Sequence, residues 1–157
     1  MAELTHLNQQ DLATMVDVSE KKITQRKAVA RSIVELPAEV YEKLIDGDIQ
    51  TKKGSVFQTA IIAGIMAAKK TGELIPLCHP LGLDNCSIDI RISNNNLVID
   101  CTAGITSKTG VEMEALVGAT IAALTVYDMC KSLSHDIIIK ETKLMEKSGG
   151  LHEYKRT

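Results

Sequence analysis

Asp128 and Lys131 stand three residues apart, at the end of a run with almost no other charge. On a helix that spacing makes them surface neighbours. A carboxylate beside an ammonium stays ionised, and each tunes the other's proton affinity, which is the chemistry of a general acid–base pair. The same spacing also fits an ordinary exposed ion pair, and position alone does not separate the two. At the other end of the run, Glu112 and Glu114 precede the charge-free stretch from Ala115 to Tyr127. Acids suit the positive end of a helix, so Glu112 has a plain structural explanation and is a secondary candidate.

Other chemistry-bearing residues fall in loops. Lys53-Gly54 precedes Ser55, a helix N-cap by type, so Lys53 would stand beside a helix N-terminus that favours an anion. Exposed loop lysines are common, and Lys53 also reads as one of them. Cys78 and His79 lie in LIPLCHPL, Leu74 to Leu81. Its two prolines exclude a helix and a central strand, leaving a stiff apolar loop that holds one imidazole in place. Arg26 belongs to a basic cluster with Lys21, Lys22 and Lys27. The cluster reads as a solvated arm, or as an arm that reaches a neighbour and offers Arg26 to an anion. One phosphate motif is rejected. The run to Lys108-Thr109 resembles a P-loop, but that pattern needs glycines where Thr102 and Ser107 stand.

The stretch Thr106 to Lys131 must position many of these groups. It reads as one long helix after the Thr109-Gly110 turn. Its charge-free part is shorter than the ~20 apolar residues a bilayer requires. Ala119, Ala122 and Ala123 stand among Leu116, Ile121, Leu124 and Val126, so the helix is apolar all round. Cover on more than one side is expected, by a sheet and by a second helix or subunit. Glu114 and Asp128 are fourteen residues apart, near one helix face but roughly 21 Å apart along the axis. One small pocket in one chain could hardly use both. If both act on one molecule, a second copy supplies one of them.

Upstream, Ala28 to Leu36 alternates as a strand ended by Pro37. Ala38 to Ile45 reads as a short helix closed by Asp46-Gly47. Ser55 to Lys70 reads as a longer helix with Phe57, Ile61, Ile65 and Ala68 inward. Cys86, Ile88, Ile90 and Ile92 against Leu97, Ile99, Cys101 and Ala103 predict a hairpin turning at Asn94 to Asn96. His135 to Leu144 is the last strand, centred on Ile137 to Ile139. This order is the split βαβ plan: an α+β, ferredoxin-like βαββαβ fold, whose antiparallel sheet carries two long helices on one face, plus a short inserted helix. Isoleucine-rich strands predict burial against another copy. A single domain spans 1–157, with an N-terminal arm over 1–27 and a flexible loop and tail over 145–157.

Hydrophobic residues make up 45% of the chain and charged residues 24%, which fits a globular domain. A net charge of −2, no Trp and one Phe argue against nucleic-acid binding. No basic region followed by an apolar run opens the chain, so no signal peptide is expected. A cytoplasmic location with four reduced thiols follows. Cys78, Cys86, Cys101 and Cys130 match no zinc spacing, and no metal site is expected.

Read in order, seven words recur: Met15-Val16-Asp17-Val18, Thr24 with Arg26, Lys53-Gly54, Leu77 to Leu81, Thr109 to Leu116, Tyr127 to Lys131, and Lys147-Ser148-Gly149-Gly150. Together they closely resemble the cyclic pyranopterin monophosphate synthases of molybdenum cofactor biosynthesis, the MoaC family, across essentially the whole chain. Ser55 departs from the family's usual Asp. The resemblance implies a lyase that converts 3′,8-cyclo-7,8-dihydroguanosine 5′-triphosphate to cyclic pyranopterin monophosphate and pyrophosphate. It implies a ferredoxin-like homohexamer, a trimer of dimers with sites at the dimer interface. No organic cofactor is implied, with magnesium allowed beside the triphosphate. Asp128 would be catalytic, with Lys131 as its partner. Leu77, Cys78, His79, Met113 and Glu114 would bind substrate. Arg26, Lys53, Lys131 and Lys147 would face its phosphates. The alternative is a non-catalytic regulatory module of the same fold that binds a nucleotide or pterin.

Overall fold

A computed structural model describes residues 5–157, so residues 1–4 of the expected arm lie outside the described residues. The chain runs β1 (Thr24–Glu35), α1 (Ala38–Tyr41), β2 (Leu44–Ile45), β3 (Asp48–Thr51), β4 (Gly54–Ser55), α2 (Val56–Ala68), α3 (Thr71–Leu74), β5 (Asn85–Ser93), β6 (Asn96–Ser107), α4 (Glu112–Cys130), β7 (Ile138–Ser148) and β8 (Tyr154–Lys155). The main sheet is antiparallel in the order β5-β6-β1-β7-β8. Without the short β8, that is the ferredoxin-like plan, with α2 and α4 on one face.

The β5–β6 hairpin turns at Asn94 and Asn95, both with positive φ, a two-residue turn whose twist suits the strands. Asp46 and Gly47 do the same between β2 and β3. There the sequence reading needs correction. The short helix ends at Tyr41, and residues 44–55 form a miniature three-stranded sheet of β2, β3 and β4. Strands this short carry no readable period.

Three boundaries also shift. The first strand starts at Thr24, inside the expected arm, because it pairs with β6 as far as Ser107. Arg26 therefore lies on a strand rather than on a reaching arm. The expected C-terminal loop from 145 is strand as far as Ser148, and Tyr154–Lys155 pairs back on it. The isoleucines begin β7 instead of centring it. Two bulges, at the β1 register shifts Val29/Ala30 and Ile33/Val34, break its alternation and hide it from a period-two reading.

Ala28, Ala30, Val34, Leu97, Ile99, Cys101 and Ala103 face the helices and are buried. Against them α4 turns Ala115, Gly118, Ala119, Ala122, Ala123 and Val126. The inward row of α2 is Phe57, Ala60, Gly64 and Ala68, smaller than the expected stripe, with Ile61 and Ile65 only partly buried. A Cβ on Gly64 would run into Ile88 and stand 2.7 Å from the Gly118 carbonyl. The helices therefore touch backbone to backbone. Their large side chains Ile62, Met66 and Leu124 are exposed. The helix α4 has the length and composition of a membrane span, but half of it is buried in the fold.

The other sheet face, expected to be covered by another copy, is mixed: Val29, Ile33 and Val98 lie on it among charged pairs. Arg31 reaches Asp100 at 2.7 and 2.9 Å, Arg91 reaches the same carboxylate at 2.9 Å, and Lys143 pairs with Glu141 at 2.7 Å. Burial alone would push the Asp100 carboxyl up, but the bonds from Arg31 and Arg91 outweigh it and hold the group below its usual value. Ile88, Ile90 and Ile99 alternate inward, whereas Ile33 opposite Val98 lies on the outer face, so a count of isoleucines does not decide which face is apolar.

Candidate functional site

The last turn of α4 carries Asp128, and Lys131 caps the helix. Their side chains meet at 2.8 Å, and Lys53 approaches the other Asp128 oxygen at 3.7 Å. Lys53 comes from the tight turn between β3 and β4, where its N–H is held by the Thr51 hydroxyl. All three side chains are about half exposed or more. The hydrogen bond from Lys131, and then its charge and that of Lys53, hold the Asp128 carboxyl below its usual range. Asp128 in turn raises the Lys131 ammonium. The group can hold an ionised carboxylate between two ammonium ions, facing outward beside Ile121, Leu124 and Tyr127. Ser55 caps α2 by accepting from Gln58 N–H, and its hydroxyl bonds Asp48, whose carboxylate also takes the Phe57 N–H. A serine after Lys-Gly therefore closes the helix start as an acid could.

The first turn of α4 carries a second group. Leu77, Cys78, His79, Met113, Glu114 and Glu112 line one small cavity of about 260 Å³ with Val16 and Val18 of the arm. His79 donates from Nε2 to the Val16 carbonyl at 2.7 Å, and Lys108 holds the Ser19 carbonyl at 2.8 Å, so the arm is tied down where it walls the cavity. Glu114 is 4% exposed, and burial pushes its carboxyl up, with the Glu112 charge adding to the rise. Burial, then the Glu114 charge, raises the Cys78 thiol above its usual value.

Beside it lies a larger cavity of about 880 Å³, lined by Arg26, Lys21, Lys22, Lys27 and Lys147 with Gly149 and Gly150. Glu112 borders both cavities and binds Lys147 at 3.0 Å. A Cβ at Gly110 would strike the Glu112 carboxylate, so a side chain there would push that carboxylate aside. Among the described residues Thr109 Oγ1 is buried without a hydrogen-bond partner. The sequence-derived site residues thus fall into two sets. Leu77, Cys78, His79, Glu112, Met113, Glu114, Arg26 and Lys147 gather at the start of α4. Lys53, Asp128 and Lys131 gather at its end, about 19 residues or ~28 Å of helix away. Sequence reasoning passed over Lys108 and His152, which border this ground only through long-range folding.

The molecule is thus of a definite class: a ferredoxin-like α+β domain with a cationic cavity at one end of its central helix and a carboxylate between ammonium groups at the other. The MoaC family matches residues 15–150, and the chain belongs to that family. It is 52% identical over 150 residues to a cyclic pyranopterin monophosphate synthase of Xanthomonas campestris pv. campestris (strain B100), covering 95% of this chain and 91% of that one. To the synthase of the same name from Halalkalibacterium halodurans it is 49% identical, covering 97% and 93%. Molybdenum cofactor biosynthesis protein 1 of Dictyostelium discoideum is 50% identical over 94% of this chain, which spans 26% of that longer protein.

Proposed function

We propose that this chain is a cyclic pyranopterin monophosphate synthase, a lyase of molybdenum cofactor biosynthesis acting on 3′,8-cyclo-7,8-dihydroguanosine 5′-triphosphate. The observation that carries the reading is the division of polar groups between the two ends of α4. A purine triphosphate needs a cationic seat, and the cavity around Arg26 and Lys147 offers one. Its base needs a walled pocket with a few polar contacts, which suits Leu77, Cys78, His79, Met113 and Glu114. Opening and reclosing the purine-derived ring breaks and forms ring bonds with protons moved at nitrogen and carbon. Closing the cyclic phosphate joins a deprotonated hydroxyl to phosphorus as the bond to pyrophosphate breaks. No electrons are gained or lost, so groups that move protons and hold phosphate suffice.

Asp128 takes and returns protons, with Lys131 tuning it and Lys53 neutralising charge on the departing phosphates. The two ends of one helix are too far apart to serve one substrate, so the complete site joins the end of α4 in one copy to the start of α4 in another. The working protein is then a homo-oligomer, in which a trimer of dimers supplies six such sites.

The test mixes purified protein with the cyclised dihydro-GTP triphosphate and measures pyrophosphate and cyclic pyranopterin monophosphate together. Both products in equal amounts are expected. Tight binding with neither product would leave a ligand-sensing module of the same fold.

A further inference from the structure

The Arg26 guanidinium is held from several sides. Its Nε–H donates to the Thr24 hydroxyl at 2.6 Å, and Nη2 donates to the Lys108 carbonyl at 3.2 Å. A guanidinium has no acceptor, so the hydroxyl must receive that bond on a lone pair. Its own proton is then free for the Gly149 carbonyl, 2.7 Å away. The Thr24 hydroxyl therefore has a fixed direction, and it ties β1 to the loop after Lys147. That loop is glycine where it passes the arginine. A Cβ at Gly149, whose φ is +87°, would collide with the Gln25 carbonyl, and one at Gly150 would stand 2.9 Å from Arg26 Nη1. Nη1 remains unused among the described residues. Thr24, Arg26, Lys147, Gly149 and Gly150 all line the larger cavity.

We propose that Thr24 is a positioning residue. It fixes the Arg26 fork so that the remaining guanidinium donors meet an anion in the cavity, and it sets that orientation by the glycine loop. The proposal rests on the reading of this cavity as the triphosphate's seat. A planar fork gains from such fixing because its donors must match two oxygens at once, and a freely swinging one must be ordered at the moment of binding. Lysine, a point charge, would gain nothing from it.

The probe is inorganic tripolyphosphate, titrated by calorimetry into the intact protein. Thr24→Val keeps the shape and removes the hydroxyl. It is expected to weaken binding about tenfold with the free protein melting as wild type, and Thr24→Ser is expected to restore binding to within about twofold. In an Arg26→Lys background, Thr24→Val is expected to have no further effect, because the fork it orients is gone. Gly150→Ala sets a methyl 2.9 Å from Nη1 while leaving the Thr24 hydroxyl in place. The atom it meets is the tip of a flexible side chain, so the variant folds and is expected to weaken binding similarly. Wild-type affinity in Thr24→Val or in Gly150→Ala overturns the proposal, and so does an equal loss from Thr24→Val in both backgrounds. A wild-type chain that does not bind tripolyphosphate overturns it too. A wild type that binds tripolyphosphate but turns over no cyclised triphosphate sinks the synthase reading and leaves this test standing.

Discussion

Glu114 and Asp128 show how one side-chain type takes opposite characters on one helix. Burial lifts the Glu114 carboxyl, while the hydrogen bond from Lys131 lowers that of Asp128. The consequence for Glu114 is measurable without any ligand. A raised folded value means the folded state binds the proton more readily than the unfolded one, so stability falls as pH rises from the ordinary carboxylate range through the folded value. Above both, the full penalty of a buried charge remains. Glu114→Gln is therefore expected to melt above wild type at pH 7, with the gap closing toward pH 4. Melts from pH 4 to 8 check this, and parallel curves would remove burial as the dominant influence. At this scale the sequence was partly legible. The Asp128–Lys131 spacing shows in four letters, 128 to 131, and the structure closes it at 2.8 Å. The approach of Lys53 to Asp128 was not legible, because a turn 75 positions upstream delivers it.

Among the elements, turns with special backbone demands were the readable parts. Asn94-Asn95 turns the hairpin with positive φ as its residue types predict, whereas Asp46-Gly47, read as the close of a helix, turns β2 into β3. The miniature sheet of β2 to β4 was missed because two-residue strands show no alternation, and β7 was miscentred because two bulges interrupt its period. The α2–α4 contact is the element-level feature with the sharpest expected effect. Gly64→Ala forces a methyl toward Ile88 and the Gly118 carbonyl, a rigid backbone atom. Overpacking of this kind costs about 1–3 kcal/mol. The urea midpoint should fall accordingly with the slope unchanged, and a midpoint within error of wild type would mean that the helices part freely.

For the whole molecule, the order of elements was legible and the nature of the surfaces was not. Counting isoleucines pointed to a sheet face buried against another copy, and it did not show that Arg31, Arg91 and Asp100 share the outer face with Ile33 and Val98. Exposed hydrocarbon sits on the helix layer at Ile62, Met66 and Leu124, as well as on the last strand at Ile138, and Leu124 borders Asp128 and Lys131. A site shared between copies has a strict test there. Asp128→Asn and Arg26→Ala chains should each fold, assemble and be inactive. Unfolded and refolded together at equal amounts, they should recover about a quarter of wild-type turnover, since random pairing leaves one intact site in half the pairs. No recovery in mixed assemblies would place all the groups of a site in one chain.

The small side chains between α2 and α4 bear on how the chain survives on its own. Alanine and glycine bring the helices close but remove few methylenes from water, while the bulkier groups stay outside. A fold arranged in this way leaves part of its stability to whatever covers that exterior. If the cover is another copy, stability follows mass action: the melting temperature climbs with protein concentration, and dilution acts as a denaturant.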